Sequence, residues 1–304
     1  MINTSVNFCG VTFKNPVITA SGTYGFGREY GEYVDLNRLG GITCKGLTLK
    51  MREGNKPPRI AETPAGILNS VGLQNPGVRY FAKQELMRLK KYDTNIIANI
   101  AGNTIEEYCE MAEILSDTDV HLIEMNISCP NVKQGGAAFG TCPKTVEEIT
   151  SAVRKRCKKP LIVKLSPNVT DICEIARAAQ SGGADALSLI NTLLGMKIDI
   201  NTRRPILANN VGGLSGPCVK PVAVRMVWQV KRAVNLPIIG MGGIASAEDA
   251  VEFLLAGASL VSVGTYNFVD PYVTLKVIEG IEQYMQAHGI SDVSELVGAV
   301  IENQ

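Results

Sequence analysis

The sequence predicts an α/β fold, a single (β/α)8 TIM barrel spanning residues 1–304. Three observations predict it. Eight short β-rich runs recur along the chain, and most are continuously apolar, as parallel strands buried on both faces are. Helical patterns lie between them, so strand and helix alternate. The length of 304 residues, 45% hydrophobic and 19% charged, suits one large soluble domain with a sizeable core.

The strand candidates are, in order, Asn15–Gly22, Gly41–Thr48, Asn95–Gly102, His121–Asn131, Pro160–Asn168, Ala186–Thr192, Pro237–Ile244 and Leu260–Thr265. Helices are expected over 76–91, 143–158, 170–182, 217–234 and 271–287. Thr104-Ile-Glu-Glu107 matches a capping box and opens another helix. Ser246-Ala-Glu-Asp249 opens a further one, which ends at Gly257. Eight strand runs alternating with these seven helical segments read as the eight β-then-α units of a barrel, with no helix named for the first. Residues 6–14 read as a hairpin closing the bottom of the barrel. The stretches 49–75, with Pro57, Pro58 and Pro64, and 193–214 are long loops after strands two and six, where barrels place substrate lids. A doubly wound sheet is the competing architecture. Gly22-Thr-Tyr-Gly25-Phe-Gly27 resembles a dinucleotide loop, but its glycines are in the wrong order, and it reads as a flexible turn beside a cofactor.

Lys plus Arg is 30 against 29 Asp plus Glu, so no basic surface argues for nucleic acid as a partner. Eight cysteines include no C-x-x-C pair, which removes the usual zinc and iron–sulfur spacings. No secretory pattern opens the chain and no run of 18 apolar residues occurs, so a cytoplasmic location without membrane association is expected.

Barrel enzymes place their chemistry at the C-terminal strand ends. The polar residues there are Ser21; Lys45 and Gly46; Asn99; Asn126, Ser128, Cys129 and Asn131; Lys164, Ser166 and Asn168; Asn191 and Thr192; Gly242 and Gly243; and Gly264 and Thr265. Amides read the edges of a heterocycle, since each offers acceptor and donors. An interior lysine is costly unless an anion faces it, so two of them suggest a negatively charged ligand. Glu124 is the one carboxylate in the set, and no metal site is expected. Gly242, Gly243 and Thr265, with the helix opening near Ser246, fit a phosphate, although the glycines alone also suit tight turns.

Plain structural roles compete throughout. Seven cysteines read as ordinary core or surface residues, with Cys142 as the serious rival to Cys129. Lys45 and Lys164 also read as snorkelling side chains. His121 and His288 fall away from strand C-termini, which removes the commonest general base and favours a cysteine.

Asn126-Ile-Ser-Cys-Pro-Asn131 resembles the active-site motif of the dihydroorotate dehydrogenases. So do Asn69-Ser-Val-Gly-Leu-Gln-Asn-Pro-Gly77, Val163-Lys-Leu-Ser-Pro-Asn168, Ile190-Asn-Thr192, Gly212-Gly-Leu-Ser-Gly216 and Gly240-Met-Gly-Gly243. The match runs from about Val6 to the last helix. Each motif alone is weak; six in order are specific. A cysteine at 129 looks like class 1, and Thr63-Pro-Ala-Gly-Ile-Leu-Asn69 with Asn131-Val-Lys-Gln-Gly-Gly136 looks like class 1B.

The resemblance implies FMN as cofactor and dihydroorotate oxidation to orotate in pyrimidine (UMP) biosynthesis. It also implies a partner subunit carrying FAD and a [2Fe–2S] cluster, in a heterotetramer with two of each subunit, that passes electrons to NAD. Cys129 would be the catalytic base, assisted by Lys45 and Lys164. Ser21, Lys45, Gly46, Asn99, Asn126, Lys164, Ile190, Gly216, Gly242, Gly243, Gly264 and Thr265 would hold FMN. Lys45, Asn69, Ser70, Val71, Gly72, Leu73, Asn126, Asn131, Asn191 and Thr192 would bind substrate, under a lid at 129–142. The alternatives are a fumarate-using class 1A enzyme, a dihydropyrimidine dehydrogenase-like or dihydrouridine synthase-like FMN barrel, and a non-catalytic phosphate-binding scaffold.

Overall fold

The structure, a computed structural model, describes residues 2–127 and 139–303. All eight expected runs contribute to one closed parallel barrel. Its strands are β1 (Val17–Thr19), β2 (Gly41–Thr43), β3 (Asn95–Ile100), β4 (Leu122–Asn126), β5 (Leu161–Lys164), β6 (Ala186–Leu189), β7 (Ile238–Met241) and β8 (Leu260–Val263). They pair in sequence order, and β8 closes on β1 through Val261↔Val17 and Ser262↔Ile18.

Period-two alternation explains why the runs are apolar throughout yet carry chemistry. In β5, Leu161 and Val163 belong to the main core under the helices, whereas Ile162 belongs to the interior cluster. Lys164, two residues on, therefore points inward as well. In β4, Ile123 and Met125 belong to the outer core and Leu122 to the interior cluster, which puts Glu124 and Asn126 inside. The inner face is thus apolar at the bottom and polar above.

The bottom is closed as expected. Val6–Phe8 and Val11–Phe13 form an antiparallel hairpin, and Cys9 and Gly10 turn the corner at φ 53° and 80°. Phe8 and Phe13, both fully buried, pack into the interior cluster with Ile18, Ile97 and Leu122.

Helices Ile105–Ser116, Pro143–Arg154, Ile172–Ser181, Lys220–Ala233, Ala247–Ala256 and Val273–Ala287 cover the barrel. Thr104 caps the first of these by accepting from Glu107 N–H at 3.2 Å. Ser246 and Asp249 form a full capping box, and Gly257 ends that helix in the left-handed region. The segment expected as a helix over 76–91 is helical from 78 to 89, with a π-helical middle at Phe81–Glu85.

Two expectations need correction. The first β-then-α unit has no α-helix; the 3-10 turns Tyr30–Glu32 and Leu36–Arg38 link β1 to β2. The stretches 49–75 and 193–214 are not plain loops. They supply Ile60–Thr63, Gly66–Asn69, Leu193–Gly195 and Gly212–Ser215, which form one antiparallel sheet in the order 193–195, 212–215, 66–69, 60–63. Among the described residues, no helix is long and apolar enough to cross a membrane.

Candidate active site

The polar upper part of the barrel opens into a cavity of about 280 Å³, lined by strand ends and by residues of the four-stranded sheet. The sheet contributes Ile60, Ile67, Asn69, Gly213, Leu214 and Ser215, so the residues after β2 and β6 wall one side. The antiparallel pair Gly213↔Asn69 fixes this wall, and Asn69 Nδ2 donates to Gly213 O at 3.3 Å.

Most of the expected site residues converge here. Ser21, Lys45, Gly46, Asn69, Val71, Gly72, Leu73, Asn126, Lys164, Ile190, Asn191, Thr192, Gly216, Gly242, Gly243, Gly264 and Thr265 all line the cavity. Lys45 Nζ lies 3.6 Å from where a Cβ on Gly22 would sit, so the glycine-rich turn after β1 runs beside this lysine. Asn191 Nδ2 donates to Asn126 Oδ1 at 3.3 Å, and Tyr108 Oη–H donates to Asn126 O at 2.7 Å. The first bond ties the residues after β6 to the end of β4, and the second ties the helix Ile105–Ser116 to the same strand end.

Two expected residues lie elsewhere. Ser70 is 2% exposed and is absent from the cavity wall. Its N–H donates to Arg59 O and its carbonyl accepts from Asn55 Nδ2, so its backbone anchors the sheet instead of facing the cavity. Asn99 is fully buried behind the wall: its Oδ1 lies 2.9 Å from where a Cβ on Gly46 would be. Cys129 and Asn131 lie outside the described residues.

The cavity fits the expected FMN. A Cβ on Gly243, at φ +88°, would sit 2.8 Å from Lys220 Cβ and 3.0 Å from Gly216 O. Only glycine satisfies both the conformation and the space there, which leaves bare backbone beside the cavity. Ser262 Oγ is buried without a hydrogen-bond partner in the cavity wall. Lys164 is 4% exposed, and its ammonium makes no ion pair or hydrogen bond with any described residue. A buried ammonium in that state calls for an anionic or electron-rich neighbour.

The helix opening at Ser246 is a weaker phosphate donor than the sequence suggested. Asp249 Oδ2 already accepts from Ala245 N–H at 2.8 Å and Ser246 N–H at 3.0 Å, so those groups are occupied. The glycine backbone and Thr265, whose hydroxyl donates to Ser215 Oγ at 2.7 Å, remain beside the cavity.

Sequence reasoning missed Asn75, which is 5% exposed. Its Nδ2 donates to Leu73 O at 2.7 Å and its Oδ1 accepts from Gly77 N–H at 2.8 Å, so it shapes the Val71–Leu73 turn. Its position inside the quoted 69–77 motif was the available signal. Met241, inside the quoted 240–243 motif, also lines the cavity, as do Ile60, Ser262 and Phe268, which no quoted motif contains.

Cys142, the rival thiol, is exposed at the N-cap of Pro143–Arg154 and is not part of the cavity wall. The Thr145 backbone N–H holds it below the usual thiol range. Burial pushes Cys44 up, and it pushes Cys9 up to about 12.

A family model described as dihydroorotate dehydrogenase matches residues 3–285. The chain is similar to a protein of Alkaliphilus metalliredigens (strain QYMF) named dihydroorotate dehydrogenase B (NAD(+)), catalytic subunit. The two are 62% identical over 299 residues, which is 98% of this chain and 99% of that protein. Proteins of the same name from Lachnoclostridium phytofermentans and Bacteroides fragilis (strain YCH46) are 60% and 57% identical over 299 and 301 residues. Those matches cover 98% and 99% of this chain, and 100% and 99% of the relatives. The chain belongs to the dihydroorotate dehydrogenase family.

Proposed function

We propose that this chain is the FMN-bearing catalytic subunit of a class 1B dihydroorotate dehydrogenase. It oxidises (S)-dihydroorotate to orotate in de novo pyrimidine (UMP) biosynthesis, in the cytoplasm. Electrons leave through a partner subunit carrying FAD and a [2Fe–2S] cluster, in a heterotetramer with two of each, and reach NAD. One observation carries the reading: two lysines, several amide side chains and a glycine cradle share a single cavity at the C-terminal strand ends. The names of the relatives, which specify NAD(+) and a catalytic subunit, support the subfamily and the existence of a partner.

Bound FMN supplies the two-electron acceptor for the hydride that leaves C6 of the substrate. The chain's own residues do the rest. Gly216, Gly242, Gly243, Gly264 and Thr265 hold the phosphate end with backbone N–H groups and a hydroxyl. Ser21, Gly46 and Ile190 would hold the remainder, with Asn99 packed behind Gly46. Lys164, buried in the cavity wall, would favour negative charge on the bound ring. Lys45, on the same wall, would serve both cofactor and substrate.

Dihydroorotate presents a carboxylate, two ring N–H groups and two carbonyls. Asn69, Asn126, Asn131 and Asn191 answer with donors and acceptors, and Thr192 and the Val71–Leu73 backbone complete the set. Cys129 removes the proton from C5. It does so as a thiolate, so its surroundings must make that form accessible near neutral pH. The four-stranded sheet walls one side of the mouth, and the lid expected at 129–142, most of which lies outside the described residues, would exclude water.

Incubating the purified flavoprotein with dihydroorotate and an artificial electron-accepting dye tests the reading. Orotate should accumulate as the dye is reduced. A flavin-loaded protein that forms no orotate would overturn it.

A further inference from the structure

Asn168 has no part in the chemistry above, yet its side chain sits where the chain leaves the barrel for the four-stranded sheet. β6 ends at Leu189, and Asn191 N–H still donates to Leu165 O, just beyond β5, at 3.1 Å. Two residues on, Leu193–Gly195 is the edge strand of the sheet, paired with Gly212–Ser215 on one side. The Asn168 amide also grips this stretch. Its Nδ2 donates to Thr192 O at 3.0 Å, and its Oδ1 accepts from Leu194 N–H at 2.9 Å.

Those two backbone groups flank Leu193, and they are the pair that a parallel neighbouring strand would engage. The amide thus acts as one peptide unit of a further strand. Its orientation is fixed, because a carbonyl only accepts and an N–H only donates. Ser166, 3% exposed, holds Asn168 in turn. The Ser166 hydroxyl oxygen accepts from Asn168 N–H at 3.2 Å and from its Nδ2 at 3.3 Å.

The side chain of Thr192 is confined as well. A Cβ on Gly213 would sit 2.6 Å from Thr192 Cβ, so Thr192 lies on bare backbone, and both residues line the cavity. We propose that Asn168 is a positioning residue for the substrate. It couples the end of β5, the strand that carries Lys164, to the turn that presents Thr192. Asn168 is itself exposed and is not part of the cavity wall, so it acts through Thr192. The inference rests on dihydroorotate and orotate as the ligands beside Thr192.

Asn168→Ala removes the bonds to Thr192 and Leu194. KM for dihydroorotate should rise about tenfold, and so should Kd for orotate, read from the perturbed flavin spectrum of the oxidised protein. kcat should change less than about twofold, because the lost contact serves ground state and transition state alike. FMN affinity should stay at the wild-type value, since the glycine cradle is untouched. Asn168→Leu keeps nearly the bulk of the amide but neither bond, so it should match Asn168→Ala. In a Thr192→Ala background, Asn168→Ala should add less than about twofold. Amide hydrogen exchange at Leu194 should quicken in both Asn168 variants.

Wild-type KM and orotate Kd in Asn168→Ala would overturn the inference, as would Leu194 exchange at the wild-type rate. So would a wild-type Asn168→Leu protein, which would make bulk the cause, or a full tenfold loss that persists in the Thr192→Ala background. An equal loss of FMN affinity would also overturn it, because the fold as a whole would then have loosened. Wild-type protein that neither binds orotate nor forms it would instead refute the functional reading itself, so the two failures are distinct.

Discussion

Thr48 and Asn75 exchange two hydrogen bonds: Thr48 N–H donates to Asn75 Oδ1 at 3.1 Å, and Asn75 Nδ2 donates to Thr48 Oγ at 2.8 Å. This pair joins the backbone after β2 to the turn that brings Val71, Gly72 and Leu73 to the cavity. Gly72 and Leu73 both have positive φ, at 79° and 56°, a conformation that the chain holds only with such support. Asn75→Ala should cost about 2–3 kcal/mol of stability, because buried partners lose their bonds. It should also raise KM for dihydroorotate about tenfold through misplacement of the turn. FMN affinity should stay near wild type. Steady-state kinetics beside a flavin titration checks this, and an unchanged KM would contradict the role given to the turn.

Cys129→Ala should keep FMN and slow flavin reduction by on the order of 10²–10⁴-fold, the usual size of a lost general base. Stopped-flow absorbance under anaerobic conditions measures the step. Reduction at the wild-type rate would remove Cys129 from the mechanism.

The hairpin at the barrel bottom should matter for stability and not for chemistry. The rings of Phe8 and Phe13 meet edge to face, with centroids 6.1 Å apart and planes at 81°. Phe8→Ala should destabilise the fold by about 3–5 kcal/mol, the range for a large buried aromatic. In denaturant titrations the midpoint should fall, while the flavin spectrum of the folded protein stays as it was. A changed spectrum would show that the plug reaches the cofactor.

Thiol labelling should separate the cysteines by pH. The Thr145 N–H stabilises the Cys142 thiolate, so its reactive form persists at lower pH than that of an ordinary thiol. Burial has the opposite effect on Cys9 and Cys44. Among the seven described cysteines, Cys142 should be alkylated first as pH rises from acidic values, and Cys44 should stay protected in the folded state. Peptide mapping after short iodoacetamide pulses reads the order. Early modification of Cys44 would contradict the burial found here.

The barrel was legible because its signal is local. Each strand is a short apolar run, and period two then placed Lys164 and Asn126 inside once the bottom residues Ile162 and Leu122 were known to be interior. The runs overshoot the strands because the backbone leaves the ladder to build the cavity. In the run expected over Gly41–Thr48 only Gly41–Thr43 is strand, and Lys45 N–H already donates to Gly25 O.

The four-stranded sheet was not legible. Leu193–Gly195 is a three-residue strand, and its partner Gly212–Ser215 in turn pairs with Gly66–Asn69, far away in the chain. Nothing local announces such pairing. Ser70 was misplaced for a related reason: its motif neighbours Asn69 and Val71 face the cavity, but the alternation along the chain turns Ser70 away.

Dihydroorotate should give up two electrons to a flavin held in this cavity. Adding dihydroorotate to the purified protein without oxygen, and following the visible flavin band, measures that transfer. Stoichiometric bleaching with one orotate formed per flavin is expected. A colourless protein, or a yellow one that dihydroorotate leaves unbleached, would contradict it.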